Sequence, residues 1–426
     1  MPDASHELPD GPAEPALDAS ERSPVPTTRG ELRRARRPHH RVRHIILGVV
    51  AGVVAVTLIA VGVLLTKGEF VASKVFKKGT ILDLVGAGTP LRTDGHGRTN
   101  VLLFGTSQDD GNHPGQWLTD SIQLVSINEK TKKVSMIAVP RDTWVHLPTS
   151  CVIGSTAKIN AVYECAAGLT STTGRTPPGY AAADPKGAAA LMSTVAEVTG
   201  LTPQYWIHVD YSVLRDSVNA LGGIDVNIVG DGHQGIYDTN LDNPGCTTTA
   251  CARVYYPHNG VYHLDGQHAM DLARARADYS PRSYLDFGLD RGDFDREANQ
   301  QKIMVAIKDK AMSAGTLANP VAIFDLLGAL GDNVTMSFSV AEAKTLIDVA
   351  RSVPSGQMTP ISLTLGPPPV LTTGKAGGQD VVLPVAGLFD WSAVHSYIAG
   401  RLATTAATTP SPTAAAAAPP ATAASG

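Results

Sequence analysis

Arginines and aspartates at the ends of apolar runs are the residues of this chain best placed to do chemistry. Pro140-Arg141-Asp142 follows the β-rich run 133–139 directly, and a strand end opening into a loop is where a rigid sheet aims side chains at a ligand. Arg274 and Arg276 follow a helical pattern that begins at Asp265. Two residues apart, their guanidiniums diverge by about 200° on a helix but share one face of an extended chain. On a shared face they repel one another unless an anion lies between them, and a pyrophosphate suits two planar forks. Asp120 precedes the run 121–127, with Asp109 and Asp110 in the loop before it. Such carboxylates can hold magnesium or another divalent cation, which takes one or two of them and fills its shell with water and phosphate oxygens. Arg296-Glu297-Ala298-Asn299-Gln300-Gln301 heads a further helix, where Gln300 or Gln301 could donate to a phosphate oxygen, and Lys158 lies in a short polar motif after the first cysteine. Taken singly, each motif also fits a turn ion pair or a solvated face. The chain has no P-loop, GxSxG, HExxH or GxGxxG motif. Its 13 histidines show no ligand spacing, so His208 and His263 read as structural.

Positioning these groups requires strands and helices, and the pattern supplies both. Runs 100–105, 121–127 and 133–139 are β-rich, and the polar connection 128–132 makes the last two a hairpin. A helix is expected to start at Asp184-Pro185 and end near Gly200, followed by a strand over 205–209. The pattern then gives a helix over 211–221, a stop at Gly222-Gly223 and a strand over 224–229. Asp265 is a plausible N-cap for the next helix, and an amphipathic helix covers 295–312. Alternating strands and helices predict a three-layer α-β-α body with a central mixed sheet. The expected catalytic domain is 98–315, with 316–401 packed on it as a carboxy-terminal extension.

The ends differ from this body. Residues 1–44 carry Pro, Ser, Glu and Asp and then seven arginines, which reads as a disordered basic tail. Residues 45–65 are 21 consecutive uncharged, mostly apolar residues, the length of one transmembrane helix. The basic run before that span predicts a cytoplasmic amino terminus and a body on the outer side of the cell membrane, on a stalk at 66–97. A cleaved signal peptide is the alternative, although its apolar region is normally shorter. Residues 402–426 read as a disordered Ala/Thr/Pro tail. The chain of 426 residues is 43% hydrophobic and 17% charged with a net charge of −4, which excludes a globally basic nucleic-acid binder. Four cysteines outside the cytosol favour two disulfides in one of three connectivities. The sequence-local pairs Cys151–Cys165 and Cys246–Cys251 are expected, with four free thiols as the alternative.

In this order, NVLLFGT, LTDSIQLVSI, KVSMIAVPRDTWV, KIN, VDYSVLRDSVNALGGIDVNI, LDGQHAMDLARAR and GDFDREANQQ resemble the LytR-CpsA-Psr family of bacterial cell-envelope proteins, over about residues 99–308. The resemblance implies a phosphotransferase that moves a glycopolymer from a polyprenyl pyrophosphate carrier onto peptidoglycan. It implies Asp120 as the magnesium-associated carboxylate. Arg141, Arg274 and Arg276 would be the pyrophosphate clamp, with Gln300 and Lys158 assisting. Where the family often has an aspartate after the first strand, this chain has Ser107, so Asp109 is expected to take over as second metal ligand. Leu118 and Asn299 stand where arginines are frequent, and the loop 277–292 is long. An apolar groove for the carrier's isoprenoid tail is expected beside the arginines, walled by helices 186–199 and 211–221. The same clamp could instead let water attack, giving a polyprenyl pyrophosphate hydrolase. A non-enzymatic membrane-bound envelope regulator is the third possibility.

Overall fold

A computed structural model describes residues 80, 83, 86–107, 116–148, 151–169, 180–232, 234–243, 245–277, 282–313, 333–354, 357–366 and 368–407. The basic tail, the apolar span 45–65, Asp109 and Asp110 lie outside these residues. No helix among the described residues is long and apolar enough to cross a membrane.

In chain order, β1 (Arg98–Thr106), β2 (Ser121–Asn128) and β3 (Val134–Ala138) form an antiparallel meander. The short pair β4 (Trp144–His146) and β5 (Thr156–Lys158) leads into α1 (Ala161–Ala167) and α2 (Tyr180–Thr199). Next come β6 (Tyr205–Asp210), α3 (Tyr211–Ala220) and β7 (Ile224–Ile228). They are followed by β8 (Ile236–Asp238), β9 (Val254–Tyr256), β10 (Gly260–Leu264), α4 (Gly266–Arg274) and α5 (Asp293–Ser313). The last part holds β11 (Val334–Met336), α6 (Val340–Ser352), β12 (Met358–Ser362), β13 (Leu371–Ala376), β14 (Gln379–Pro384) and α7 (Ser392–Ala407).

Among the described residues the central sheet has six strands in the order β11-β6-β1-β2-β3-β12. It is mixed as expected: β6 runs parallel to β1 and β12 parallel to β3, while the other pairings are antiparallel. Period-two alternation sends Leu102, Phe104, Ile122, Leu124 and Ile137 to one face, where they pack against α1, α2 and α7. Val101, Val125 and Ile207 on the opposite face meet α3 and α6, which makes three layers. A separate apolar cluster joins α3, α4 and α5 to the side pairs β7–β10 and β8–β9.

Two sequence expectations change. The segment 316–401 is no mere extension, because β11 and β12 are the two edge strands of the sheet. Short runs of mixed polarity gave no sign of a sheet partner so far away in sequence. Helix α2 begins at Tyr180, with Pro185 inside it, so Asp184 does not open the helix. Its carboxylate instead receives the Tyr163 hydroxyl at 2.8 Å and pairs with His208 at 3.0 Å. The β13–β14 hairpin closes through Gly377-Gly378, both with positive φ, as a two-residue turn of the primed type requires.

Candidate functional site

Sheet register assembles the first part of the site. Because β2 runs antiparallel to both β1 and β3, its first residues lie beside the last residues of its two neighbours, with Gly105 opposite Ser121 and Ala138 opposite Gln123. The parallel pairing of β1 with β6 brings Thr106 beside Asp210, so Tyr211 opens α3 at the same end of the sheet. Asp120 and Arg141, 21 residues apart, therefore meet at 2.5 Å. The Ser107 hydroxyl donates to the other carboxylate oxygen of Asp120 at 2.9 Å. Burial alone would raise the Asp120 carboxyl, but the Arg141 and Arg296 guanidiniums and the Ser107 hydroxyl outweigh it and hold the group below the usual carboxylate range.

The second part comes from the α4–α5 junction. Arg274 is the last residue of α4, and Ala275 is extended at φ −65° and ψ 133°. The two arginines thus straddle a helix end and both face one cleft. Arg274 lies 5.1 Å from the centre of the Tyr211 ring, within cation–π reach. The Arg276 backbone N–H donates to Asp238 at 2.8 Å, which fixes the turn. Burial, with Asp120 adding to it, pushes the Tyr211 hydroxyl upward, so it stays a neutral donor.

Asp120, Arg141, Tyr211, Arg274, Arg276 and Arg296 line one cleft of about 680 Å³. Asp293 binds Arg296 at 2.8 Å and lies within 3.8 Å of Arg276 and 3.9 Å of Arg141. Asp120 and Asp293 offset two of the four guanidinium charges, while Lys158 and Asp142 pair with each other at 2.9 Å. The remainder is two positive charges, the complement of a pyrophosphate esterified at both ends. Arg296 is only 4% exposed, and among the described residues its Nε and Nη2 have no hydrogen-bond partner. Buried donors left this way are costly, and an anion in the cleft would satisfy them.

Beside the cleft, between the sheet and helices α3 and α5, runs an apolar groove of about 380 Å³. Leu103, Val125, Val213, Leu214, Ile303 and Met304 are among its walls, and Tyr211 borders both cavities. The expected wall 211–221 is present. Helix 186–199 is not a wall, because α2 packs on the opposite face of the sheet and α5 takes its place.

The predicted residues Asp120, Arg141, Lys158, Arg274 and Arg276 meet in the cleft. Gln300 does not line it: its amide donates to the Ala273 carbonyl at 3.1 Å and accepts from Ser121 at 2.8 Å, tying α5 to α4 and β2 at the groove wall. Gln301 is likewise committed, to Gln123 and the Met136 carbonyl. Sequence reasoning missed Arg296, Asp293 and Tyr211 as site residues. Arg296 carried a signal, since a cation near a helix N-terminus opposes the macrodipole and calls for a compensating anion. Both expected disulfides are present. Cys151–Cys165 ties the loop carrying the cleft residue Ile153 to α1, and Cys246–Cys251 closes the loop after Asn240 and Leu241, which also border the cleft.

Among the described residues no three His, Cys, Asp or Glu side chains gather as a metal site. Asp120 lines the cleft and pairs with Arg141, and Asp109 lies outside the described residues. A single carboxylate with phosphate oxygens and water is a donor set magnesium accepts, so Asp120 fits that role.

The LytR_cpsA_psr family model matches residues 77–366. The polyisoprenyl-teichoic acid–peptidoglycan teichoic acid transferase TagV of Bacillus subtilis is 26% identical over 62% of this chain and 56% of its own length. The cell wall biosynthesis protein LcpA of Corynebacterium glutamicum is 24% identical over 75% of this chain and 55% of its own. The chain thus spans little more than half the length of these two relatives. The crystal structure of protein gbs0355 from Streptococcus agalactiae aligns with a TM-score of 0.50 at 20% identity, over 71% of this chain and 88% of that one. That last likeness is one of fold.

Proposed function

The chain belongs to the LytR_cpsA_psr family, and on that premise we propose that it is a phosphotransferase moving a glycopolymer from a polyprenyl pyrophosphate carrier onto peptidoglycan. The observation that carries this reading is Arg296, buried beside three other arginines with two guanidinium nitrogens unmatched. The relative TagV is a polyisoprenyl-teichoic acid–peptidoglycan teichoic acid transferase, which supports this reading.

Phosphoryl transfer asks a protein chiefly for positioning and for neutralisation of charge on the phosphate oxygens. Arg141, Arg274, Arg276 and Arg296 do both, and the Tyr211 hydroxyl is at hand as a neutral donor. The isoprenoid tail lies in the adjoining groove, which Tyr211 connects to the cleft. The acceptor hydroxyl oxygen forms a bond to the glycan-side phosphorus as the bridging P–O bond breaks, and the carrier leaves as its monophosphate, which takes up the hydroxyl proton. A divalent cation bound at Asp120 would supply further neutralisation of the pyrophosphate. We place the body outside the membrane, anchored by residues 45–65 with the basic tail in the cytoplasm.

The test is incubation of the full chain with a polyprenyl pyrophosphate-linked glycan, with and without peptidoglycan. Acceptor-dependent release of carrier phosphate, with glycan joined to peptidoglycan, is expected. Arg141→Ala, and Arg274→Ala combined with Arg276→Ala, should abolish it. Release that ignores these changes overturns the proposal, and equal release without acceptor turns it into hydrolysis.

A further inference from the structure

A second cavity of about 450 Å³ adjoins the arginine cleft, and Arg141 and Asp142 belong to both. One wall is the start of α5, with Asp293, Phe294 and Glu297. The other is the β13–β14 hairpin, through Thr373 to Lys375 and Asp380 to Val382. The hairpin is stitched to the site: the Val382 N–H donates to the Asp142 carbonyl at 2.9 Å, and Thr143 bridges to Val382. Gln379, at its turn, reaches the arginine cleft itself. The hairpin lies beyond residue 366, where the family match ends.

Glu297 is the unexplained group here. It is 7% exposed, lines the cavity, and its Oε1 has no hydrogen-bond partner among the described residues. A buried carboxyl in that state is unfavourable unless a ligand supplies the missing bond. Burial, with Asp293 and Asp142 adding to it, pushes its pKa up to about 8, so near neutrality it can both donate and accept. The remaining lining alternates in sign, with Arg141, Arg291 and Lys375 against Asp142, Asp293 and Asp380. A mixed field of donors and acceptors around one apolar ring, Phe294, suits a neutral polyhydroxylated ligand better than a second phosphate.

Resting on the transferase reading, we infer that this cavity is the acceptor subsite, holding a sugar of the peptidoglycan strand with one hydroxyl bonded to Glu297 and the reacting hydroxyl turned toward Arg141. The β13–β14 hairpin then sets which acceptor is admitted, and Glu297 positions it.

Binding of a soluble N-acetylglucosamine–N-acetylmuramic acid disaccharide to the full chain, followed by saturation-transfer NMR, tests this without turnover. Thr373→Trp fills the cavity from an exposed position, so it leaves the core intact. It should abolish the disaccharide signal while leaving binding of a prenyl pyrophosphate within twofold. Glu297→Ala should weaken disaccharide binding at least tenfold, and the shape-conserving Glu297→Gln should restore most of it. In the transfer assay both damaging changes should appear in the acceptor KM and leave the donor KM unchanged. Absence of disaccharide binding to the wild-type chain, or equal binding to the Thr373→Trp chain, overturns the inference even if transfer itself is demonstrated. Failure of the arginine variants to affect carrier release overturns the transferase reading separately.

Discussion

Two buried polar clusters in this protein make an instructive contrast. Around His208, every group has found a partner within the fold. Its Nε2 meets the Thr106 hydroxyl at 2.9 Å and its Nδ1 meets Asp184 at 3.0 Å, while Tyr163 and Thr335 both donate to the same carboxylate. Phe104 stacks on the imidazole with ring centres 4.6 Å apart. Around Arg296, burial is nearly as deep, yet two guanidinium nitrogens and the Oε1 of neighbouring Glu297 remain unmatched. Both clusters were costly to bury. The closed one recovers that cost in folding, and the open one recovers it only when a ligand arrives. What distinguishes these two clusters is unmatched hydrogen-bonding capacity rather than depth of burial.

The contrast breaks if the two clusters respond alike to mutation. The largest effect is expected from Asp184→Ala, which leaves His208, Tyr163 and Thr335 without their shared acceptor. Denaturant unfolding should show a loss of about 3 kcal/mol, with prenyl pyrophosphate binding to the folded chain within twofold of wild type. Arg296→Ala should do the reverse. Each charge-assisted hydrogen bond is worth roughly 1.5–3 kcal/mol, so losing two predicts a drop of at least about 100-fold in pyrophosphate affinity by titration. The same change should cost less stability than Asp184→Ala.

A third, smaller change sharpens the division of labour between cleft and groove. Met304→Trp narrows the apolar groove without touching an arginine. Affinity for a long-chain prenyl pyrophosphate should fall about tenfold, from roughly 1.4 kcal/mol of lost apolar burial, while a short-chain analogue binds as before.

The smallest expected effect is on pH dependence. Burial alone would raise the Asp184 carboxyl, but His208, Thr335 and Tyr163 outweigh it and hold it below its usual value. Its contribution to stability is therefore present above the unfolded value of about 3.9 and is lost as pH falls through the lower folded value. Stability measured from pH 6 downward should decline less steeply for Asp184→Asn than for wild type.

Much of this arrangement was legible without coordinates. β-rich runs marked β1, β2 and β3, and the polar stretch 128–132 marked the turn between the last two. Asp265 caps α4 as its residue type suggested, accepting from the His268 N–H at 2.9 Å. Arg141 and the Arg274/Arg276 pair stood out because permanently charged forks at strand and helix ends need an anion to share a face. The roles of β11 and β12 were hidden, because pairing of an edge strand depends on which neighbour is left uncovered. Gln300 was misplaced for a related reason. Near the start of a helix it could face the cleft or the sheet, and only the packing of α5 against β2 and α4 turned its amide to Ser121 and Ala273.

By itself the sequence determined the local elements and the anion-binding character of the arginines, since each follows from near neighbours or from side-chain chemistry. Tertiary structure alone decided that Arg296 joins Arg141 from 155 positions away, that the groove lies under α5 rather than α2, and that a late hairpin walls a second cavity. Those outcomes depend on sheet register and on which face each helix covers. Register and face selection arise from the sum of many distant contacts, and no local stretch of chain encodes them.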